Sequence, residues 1–425
     1  MTPQEAIAYI ENSGWSATRL GLDRTRELLR RLGDPQKGLK FVHVAGSNGK
    51  GSTCAMLDSI LRSAGYRVGL YTSPHIQDFR ERIQVNGEYI SGQDLADATQ
   101  RVRAAADAME DHPSQFELMT AVALLHFLRR ECQIVVLEVG MGGELDSTNV
   151  IDPPEAAVIT NLGLEHTEYL GDTIEKIAAT KGGIIKPGCS AVCYDGDPKG
   201  VSVIREICRE RKVPLRVANF GEITPLSESF EGQRFLWKGQ EYRLALLGRY
   251  QLRNAATVLE TVAALTDRGW NIPPSAVSQG LDRAAWPARM EVMGTHPLFL
   301  IDGGHNPQCA EALAESLKRL LPGKKPVFLL GVLGDKDYPR MLESVLPLAK
   351  EFICLTPLSD RALPARELAR CLTARGAKAR FAEEVSAGLE QALDAAGEDG
   401  AVVAFGSLYL VGAIREEYLK RKTAG

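Results

Sequence analysis

Apolar runs of strand length alternate along this chain with longer segments whose apolar residues recur at helical spacing, and that alternation predicts an α/β fold. Residues 39–45 read as a strand. Residues 50–64 read as a helix with Met56, Leu57, Ile60, Leu61 and Ala64 on one face, and residues 67–72 as a second strand, completing a βαβ unit. Helices are expected over residues 95–109 and 116–130, then an almost wholly apolar strand over 134–139 and another over 156–160. Asp172-Thr173-Ile174-Glu175 has the form of a capping box that opens a further helix.

Residues 220–247 alternate in polarity around a Lys238-Gly239 turn and predict a β-hairpin decorating the sheet. Helices over 251–266 and 274–283 follow. The Trp286-Pro287 step interrupts the pattern, and a second alternating series begins with a strand over 298–302. It continues through 308–320, 327–331, 339–349, 352–355, 365–374 and 401–405 to a helix over 408–420. The boundary is therefore placed near residue 288. Residues 1–288 form a doubly wound α/β domain with a hairpin decoration, and residues 289–425 a smaller Rossmann-like α/β domain.

Composition agrees with two domains. A chain of 425 residues exceeds one ordinary core, and 44% hydrophobic residues is globular. The formal charge of −4, with acidic and basic residues interspersed, argues against nucleic acid or an anionic membrane as partner and points to small ligands. Without a long apolar run near Met1 or elsewhere, a cytoplasmic protein is expected. The eight cysteines lack Cys-x-x-Cys spacing and read as reduced core residues.

The chemistry concentrates where strands end. Gly46-Ser47-Asn48-Gly49-Lys50-Gly51-Ser52-Thr53 leads from a strand into a helix, and its glycines, lysine and hydroxyls form a phosphate cradle at a helix N-terminus. The generic nucleotide-loop spacing is not met, because position 44 is Val and Gly51 separates Lys50 from Ser52. Glu138 ends an apolar strand and precedes Gly140-Met141-Gly142-Gly143, where open α/β sheets bind ligands; a buried carboxylate there calls for a compensating cation. His166 follows the next strand, and Ser73 ends a third on the same sheet edge, so a divalent cation beside the phosphates is expected. Lys181 by itself reads as a cation at a helix C-terminus.

These segments, taken in order, resemble the folylpolyglutamate synthase and dihydrofolate synthase family of the Mur ligase superfamily over nearly the whole chain. The resemblance is carried by Leu20-Gly21-Leu22-Asp23-Arg24, the phosphate loop, Thr72-Ser73-Pro74-His75-Ile76, Phe116-Glu117 and Leu137-Glu138-Val139-Gly140-Met141-Gly142-Gly143. Glu165-His166-Thr167, Lys181-Gly182-Gly183-Ile184, Asn254-Ala255-Ala256, Pro287-Ala288-Arg289, Asp302-Gly303-Gly304-His305-Asn306-Pro307 and Asp335-Lys336-Asp337 extend it. It implies an ATP-binding Mur-ligase-like domain over 1–288 and a glutamate-ligase domain over 289–425. The implied enzyme, monomeric, adds L-glutamate to a folate, or to dihydropteroate, through an acyl phosphate in a cleft between its domains.

Residue by residue, the resemblance implies that Asn48, Gly49, Lys50, Gly51, Ser52, Asn254, Arg289 and Asp302 bind ATP as co-substrate. Ser73 and Glu138 would take a first Mg2+, and Glu138, His166 and a carbamylated Lys181 a second. Lys50, Lys181, His166 and His305 are the candidate catalytic residues, and Leu22, Asp23, Phe116, Glu117, Leu145 and Asp146 the candidate folate or pterin contacts. Four departures stand out: Glu144 replaces a usual arginine, Gly182 and Gly304 replace alanine, and Ala288 replaces glycine. Two other readings remain: a Mur-type ligase acting on a UDP-sugar, disfavoured by the short region before the phosphate loop, and a non-catalytic ATP-dependent switch.

Overall fold

The computed structural model describes residues 1–12, 21–164 and 167–424. They fall into two compact units: residues 1–224, 235–243 and 252–284, and residues 225–234, 244–251 and 285–425.

The first unit opens with α1 (Pro3–Glu11), capped by Thr2, and α2 (Asp23–Arg31). Strand β1 (Phe41–Ala45) is buried at every position, because a central strand of a parallel sheet is covered on both faces. It runs through the glycine-rich loop into α3 (Lys50–Ser63). Then come β2 (Val68–Tyr71), β3 (Ile83–Val85), β4 (Glu88–Tyr89), α4 (Gly92–Ala106), α5 (Gln115–Arg129), β5 (Ile134–Glu138) and β6 (Ala156–Ile159). They are followed by α6 (Thr167–Leu170), α7 (Ile174–Gly182), β7 (Ser190–Tyr194), α8 (Pro198–Glu210) and β8 (Leu215–Ala218).

The strand order is β4-β3-β2-β5-β1-β6-β7-β8. From β2 to β8 all neighbours are parallel, so β2, β5, β1 and β6 end on one edge. Register confirms the alignment, with Tyr71 opposite Leu137, Val44 opposite Glu138 and Ala45 opposite Ile159.

Where a hairpin was expected there are three strands, β9 (Ile223–Ser229), β10 (Gly232–Trp237) and β11 (Gln240–Leu244), in the order β11-β10-β9. The expected turn joins β10 to β11, with Lys238 and Gly239 at φ 49° and 80°. β9 was not expected as a separate strand because it contains Pro225 and is mostly exposed, which an edge strand tolerates. Helices α9 (Arg249–Asp267) and α10 (Pro274–Arg283) follow. Gly280 lets α10 settle against α3, since a Cβ there would stand 2.4 Å from Ile60 Cα.

The capping box expected at Asp172 does not form, and a simple N-cap one residue on takes its place. Thr173 is the N-cap of α7 and accepts from Lys176 N at 3.3 Å, while Asp172 forms an ion pair with the Lys176 ammonium at 2.9 Å. Threonine takes the cap because Asp172 already has a cation one turn on.

The second unit carries β12 (Glu291–Thr295), β13 (Leu298–Asp302), α11 (Pro307–Leu320), β14 (Val327–Leu330), α12 (Tyr338–Val345) and β15 (Glu351–Cys354). It ends with α13 (Ala365–Ala374), β16 (Ala379–Phe381), α14 (Val385–Ala396), β17 (Ala401–Phe405) and α15 (Leu408–Ala424). Its sheet has the order β12-β13-β17-β14-β15-β16, parallel except for the edge pair β12 and β13. Both expected α/β layers are present, the first doubly wound and the second smaller and Rossmann-like. Among the described residues no helix is long and apolar enough to cross a membrane.

Candidate active site

The loop after β1 is held in shape by the loop after β6. Ser47 N donates to Asn161 O at 2.8 Å, Ser47 Oγ donates to Gly163 O at 2.8 Å, and Gly163 N donates back to Ser47 Oγ at 3.0 Å. Thr160 Oγ1 donates to Asn48 O at 2.9 Å. A side chain at Gly46 is excluded, because a Cβ there would fall 1.8 Å from Thr160 Oγ1 and the backbone φ is 156°. Gly49, at φ 87°, is the N-cap of α3, and a Cβ on it would meet Asn254 Oδ1 at 2.6 Å. Asn254 is thereby seated against the loop, and Asn48, Gly49, Lys50, Gly51 and Ser52 lie together at the start of a 14-residue helix whose N-terminus attracts anions.

Lys50 Nζ donates to Gly46 O at 2.9 Å, and Lys181 Nζ, from the last turn of α7, donates to the same oxygen at 3.0 Å. Lys181 is 2% exposed. Glu138, at the end of β5, is 3% exposed and accepts from Ser73 N at 3.0 Å. Two ammonium groups and a carboxylate therefore meet at one sheet edge beneath the glycine-rich loop. The Cys54 thiol behind them is pushed well above its usual range by burial first and by the Glu138 charge next, so it is no nucleophile. His166 lies outside the described residues. Among those described, no group of three or more His, Cys, Asp or Glu side chains is arranged to hold a metal. The donors present, the Glu138 carboxylate and the Ser73 hydroxyl, are hard oxygens of the kind magnesium takes alongside phosphate and water.

The 140–146 loop continues from Glu138. A Cβ on Gly140 would lie 2.5 Å from Phe116 Cζ, and one on Gly143 would lie 2.8 Å from Lys181 O. Phe116 and the end of α7 thus close on the loop from two sides. Asp146 is buried and accepts from Met141 N and Thr148 N, each at 2.9 Å, and from Thr148 Oγ1 at 2.5 Å. Burial raises its carboxyl above the ordinary value against the pull of these donors. Leu145 is 43% exposed beside it. Glu144 is exposed and donates its N–H to Thr180 O at 2.9 Å.

The remaining folate candidates sit apart from one another in role. Glu117 is buried and accepts from Arg24 Nε at 3.1 Å, Thr25 Oγ1 at 3.0 Å and Ser114 N at 2.8 Å, which ties α2 to the N-cap of α5. Leu22 is buried at the start of α2, whereas the Asp23 side chain stands in solvent, 3.5 Å from Arg26.

In the second unit, Asp302 ends β13 and accepts from Met290 N at 3.0 Å and Gly304 N at 2.8 Å. Burial raises its carboxyl and Arg289 opposes that shift. Arg289 Nη1 donates to Ala288 O at 2.9 Å, and His305 Nδ1 lies 3.0 Å from Gly303 O. A carbonyl cannot donate, so Nδ1 carries the proton and Nε2 the lone pair in the neutral ring. Arg289, Asp302 and His305 thus form one cluster. Ala288 takes φ 54°, a left-handed angle that glycine would adopt at less cost. An alanine at Gly304 would not fit without a shift of its neighbours, since a Cβ would stand 2.8 Å from both Asp302 Oδ1 and Cys309 Cβ.

Thr160 and Asn161, which lace the phosphate loop, were not singled out as site residues from the sequence. The signal was present in their position, as the first polar residues after an apolar strand on the edge that carries Lys50 and Glu138. Near the cluster of Arg289, Asp302 and His305, the Tyr250 hydroxyl is pushed far above its usual range, by burial and then by Asp302.

Two family models cover this architecture: the Mur ligase middle domain matches residues 44–262, and the Mur ligase glutamate ligase domain matches residues 288–408. The chain is 34% identical to folylpolyglutamate synthase of Lacticaseibacillus casei over the full length of both. It is 36% identical to dihydrofolate synthase/folylpolyglutamate synthase of Bacillus subtilis, over 81% of this chain and 83% of the relative. The chain belongs to the folylpolyglutamate synthase and dihydrofolate synthase family. Solved structures of the family agree. E. coli FolC in complex with DHPP and ADP superposes with a TM-score of 0.88 at 28% identity, covering 99% of each chain. Mycobacterium tuberculosis folylpolyglutamate synthase complexed with ADP and AMPPCP gives 0.88 at 31%, covering 98% and 99%. Members of the family are ATP-dependent ligases, and the reading as a folate-type ligase prevails over a UDP-sugar ligase or an inert switch.

Proposed function

We propose that the chain catalyses ATP-dependent addition of L-glutamate to reduced folate through an acyl phosphate, and addition of the first glutamate to dihydropteroate as well. The observation that carries this reading is the convergence of Lys50 and Lys181 on Gly46 O beside the buried Glu138. Two ammonium groups at one neutral oxygen repel each other and concentrate positive potential where α3 already favours an anion.

In this reading the loop amides and Lys50 hold the terminal phosphates of ATP, with Asn254 bracing the loop at Gly49. A substrate carboxylate oxygen attacks the γ-phosphorus and ADP leaves; the amine of glutamate then attacks the acyl carbon and inorganic phosphate leaves. Ser73 and Glu138 would hold one magnesium, and Glu138, His166 and Lys181 as its carbamate a second. Bound magnesium would neutralise the charge that builds up when two anions meet. Lys181 is suited to become a carbamate because its amine is buried beside another ammonium, where losing its positive charge relieves repulsion. His305 Nε2 is assigned as acceptor of the amine proton, and Arg289 and Asp302 as ATP contacts. Phe116, Leu145 and Asp146 are assigned to the pteridine end, with Leu22, Asp23 and Glu117 behind them. Residues 1–288 serve as the ATP-binding domain and 289–425 as the glutamate-ligase domain.

The test is magnesium-dependent ADP release with ATP and L-glutamate, offering dihydropteroate in one reaction and tetrahydrofolate in another. Release with both identifies a bifunctional enzyme and release with one names its step. Release with neither would overturn the reading.

A further inference from the structure

His43 is the middle residue of β1, pairs with Leu137 of β5 and Ala157 of β6, and has no exposed surface. A strand covered on both faces ordinarily carries an apolar residue there. The histidine is tied to the loop described above. Its Nε2 lies 2.9 Å from Thr148 Oγ1, and Thr148 Oγ1 lies 2.5 Å from Asp146 Oδ1.

The proton positions follow from counting. Thr148 has one hydroxyl proton, and an ionised carboxylate only accepts. That proton goes to Asp146, so Thr148 Oγ1 accepts from His43, and the imidazole carries its proton on Nε2. Nδ1 is then left with a lone pair, buried and without a hydrogen-bond partner among the described residues. The other tautomer would bury an orphaned N–H at that place, the rarer arrangement in native proteins. Burial, aided by the Lys186 charge, lowers the His43 pKa to about 3 and keeps the ring neutral.

What the relay holds is Asp146. Its carboxylate accepts Met141 N and Thr148 N in addition to the Thr148 hydroxyl, so it sets the path of the 140–146 loop. Phe116 packs on Gly140 of that loop, and its carbonyl accepts from Thr120 Oγ1 at 2.8 Å, itself 3.3 Å from Ser147 Oγ. One network thus runs from the centre of β1 to both sides of the region assigned to the pteridine.

We propose that His43 is a positioning residue for the pteridine end of the substrate, donating from Nε2 to Thr148 so that the Asp146 carboxylate and the 140–146 loop keep one orientation. This inference rests on the assignment of Asp146 and Phe116 to the folate site. His43 itself touches no substrate.

The experiment compares wild type, His43→Leu and His43→Gln in steady-state ADP release with dihydropteroate, glutamate and ATP varied in turn. Leucine keeps the volume and removes the donor, whereas glutamine can place an amide N–H near the position of Nε2. His43→Leu should raise KM for dihydropteroate about tenfold, the worth of one net hydrogen bond, and leave KM for ATP unchanged. His43→Gln should return KM to within threefold of wild type. An unchanged dihydropteroate KM in His43→Leu, an equal rise in the ATP KM, or a glutamine variant no better than leucine would each overturn the role. Should His43→Leu fail to fold, Thr148→Val against Thr148→Ser makes the same comparison from the other end of the hydrogen bond. A 15N spectrum of the wild-type histidines should show His43 protonated at Nε2, and protonation at Nδ1 refutes the relay without reference to activity. A wild type that releases ADP with neither dihydropteroate nor tetrahydrofolate defeats the functional reading and the His43 role with it, and one that accepts only tetrahydrofolate carries the same KM comparison on that substrate. Normal wild-type release with no KM change in His43→Leu defeats only the His43 role.

Discussion

Lys50 and Lys181 donate to the same oxygen, the carbonyl of Gly46, at 2.9 and 3.0 Å. With the Glu138 carboxylate as the nearby anion, two ammonium groups leave a net positive charge at this edge, which suits the entry of a polyanion. The two lysines predict different failures.

Lys50→Ala removes a preorganised donor aimed at the phosphates. Removing one such donor costs about 3 kcal/mol of transition-state stabilisation, on the order of a hundredfold in kcat/KM. Initial rates of ADP release at saturating glutamate measure this. Turnover within a few-fold of wild type would remove Lys50 from the phosphate site.

Lys181→Ala should abolish turnover, and short carboxylic acids such as acetate should restore part of it by standing in for the carbamate oxygens. Wild-type protein equilibrated with 13C-bicarbonate should show a carbamate carbonyl signal that the variant lacks. Full activity of the variant without added acid, or identical spectra, would refute the assignment.

The fold was legible in the sequence where strands are buried on both faces. Ile134 to Glu138 and Ala401 to Phe405 read as continuous apolar runs because both sides of a parallel sheet are covered. β9 was not legible as a third strand, since it contains Pro225 and faces mainly solvent. β12 was missed for a related reason: it is an antiparallel edge strand, only partly buried. Strand ends directed attention to Lys50, Ser73 and Glu138, and the parallel register sets their strands ending side by side. The convergence on Gly46 O was not legible, because Lys181 lies 135 positions from Gly46 and only α7's docking brings them together. Nor was the part played by His43, whose place in an apolar strand gives no hint of the hydroxyl 105 positions away.

Gly182 is matched to the packing of a neighbouring helix. A Cβ there would meet Ile207 Cδ1 at 2.5 Å and Ile204 Cδ1 at 3.1 Å, so isoleucine methyls from α8 occupy the space that an alanine side chain would need. Overpacking opposes the gain that alanine brings at a helical position, and Gly182→Ala alone should be neutral or destabilising. Combined with Ile207→Val, which removes the clashing methyl, it should be more stable than the sum of the single changes by about 1 kcal/mol. Urea unfolding of the four proteins in the cycle gives the coupling, and a value of zero would show that the two sites do not share the space.

His43 also contributes to how acid destabilises the first unit, together with His75 and His126, whose pKa values burial lowers to about 4. Its folded-state pKa is lowered to about 3, chiefly by burial, from an ordinary value of 6.5. Between those values the unfolded chain binds a proton that the folded chain refuses, so stability rises with pH through this window and is lost as pH falls below about 6.5. Asp58 acts in the opposite sense. Burial raises its pKa to about 6, against the Arg62 ion pair, so the folded form holds a proton that the unfolded chain has released, and stability grows as pH falls through about 6. Replacing one group therefore isolates its slope. From pH 6.5 to 5 the His43 contribution is about 2 kcal/mol, and His43→Gln, which cannot be protonated, should lose that much less stability than wild type over the same interval. Denaturant midpoints at the two pH values decide it. Equal losses in the two proteins would mean that the imidazole is not held neutral in the fold, and that the proton placed on Nε2 is not the only one on the ring.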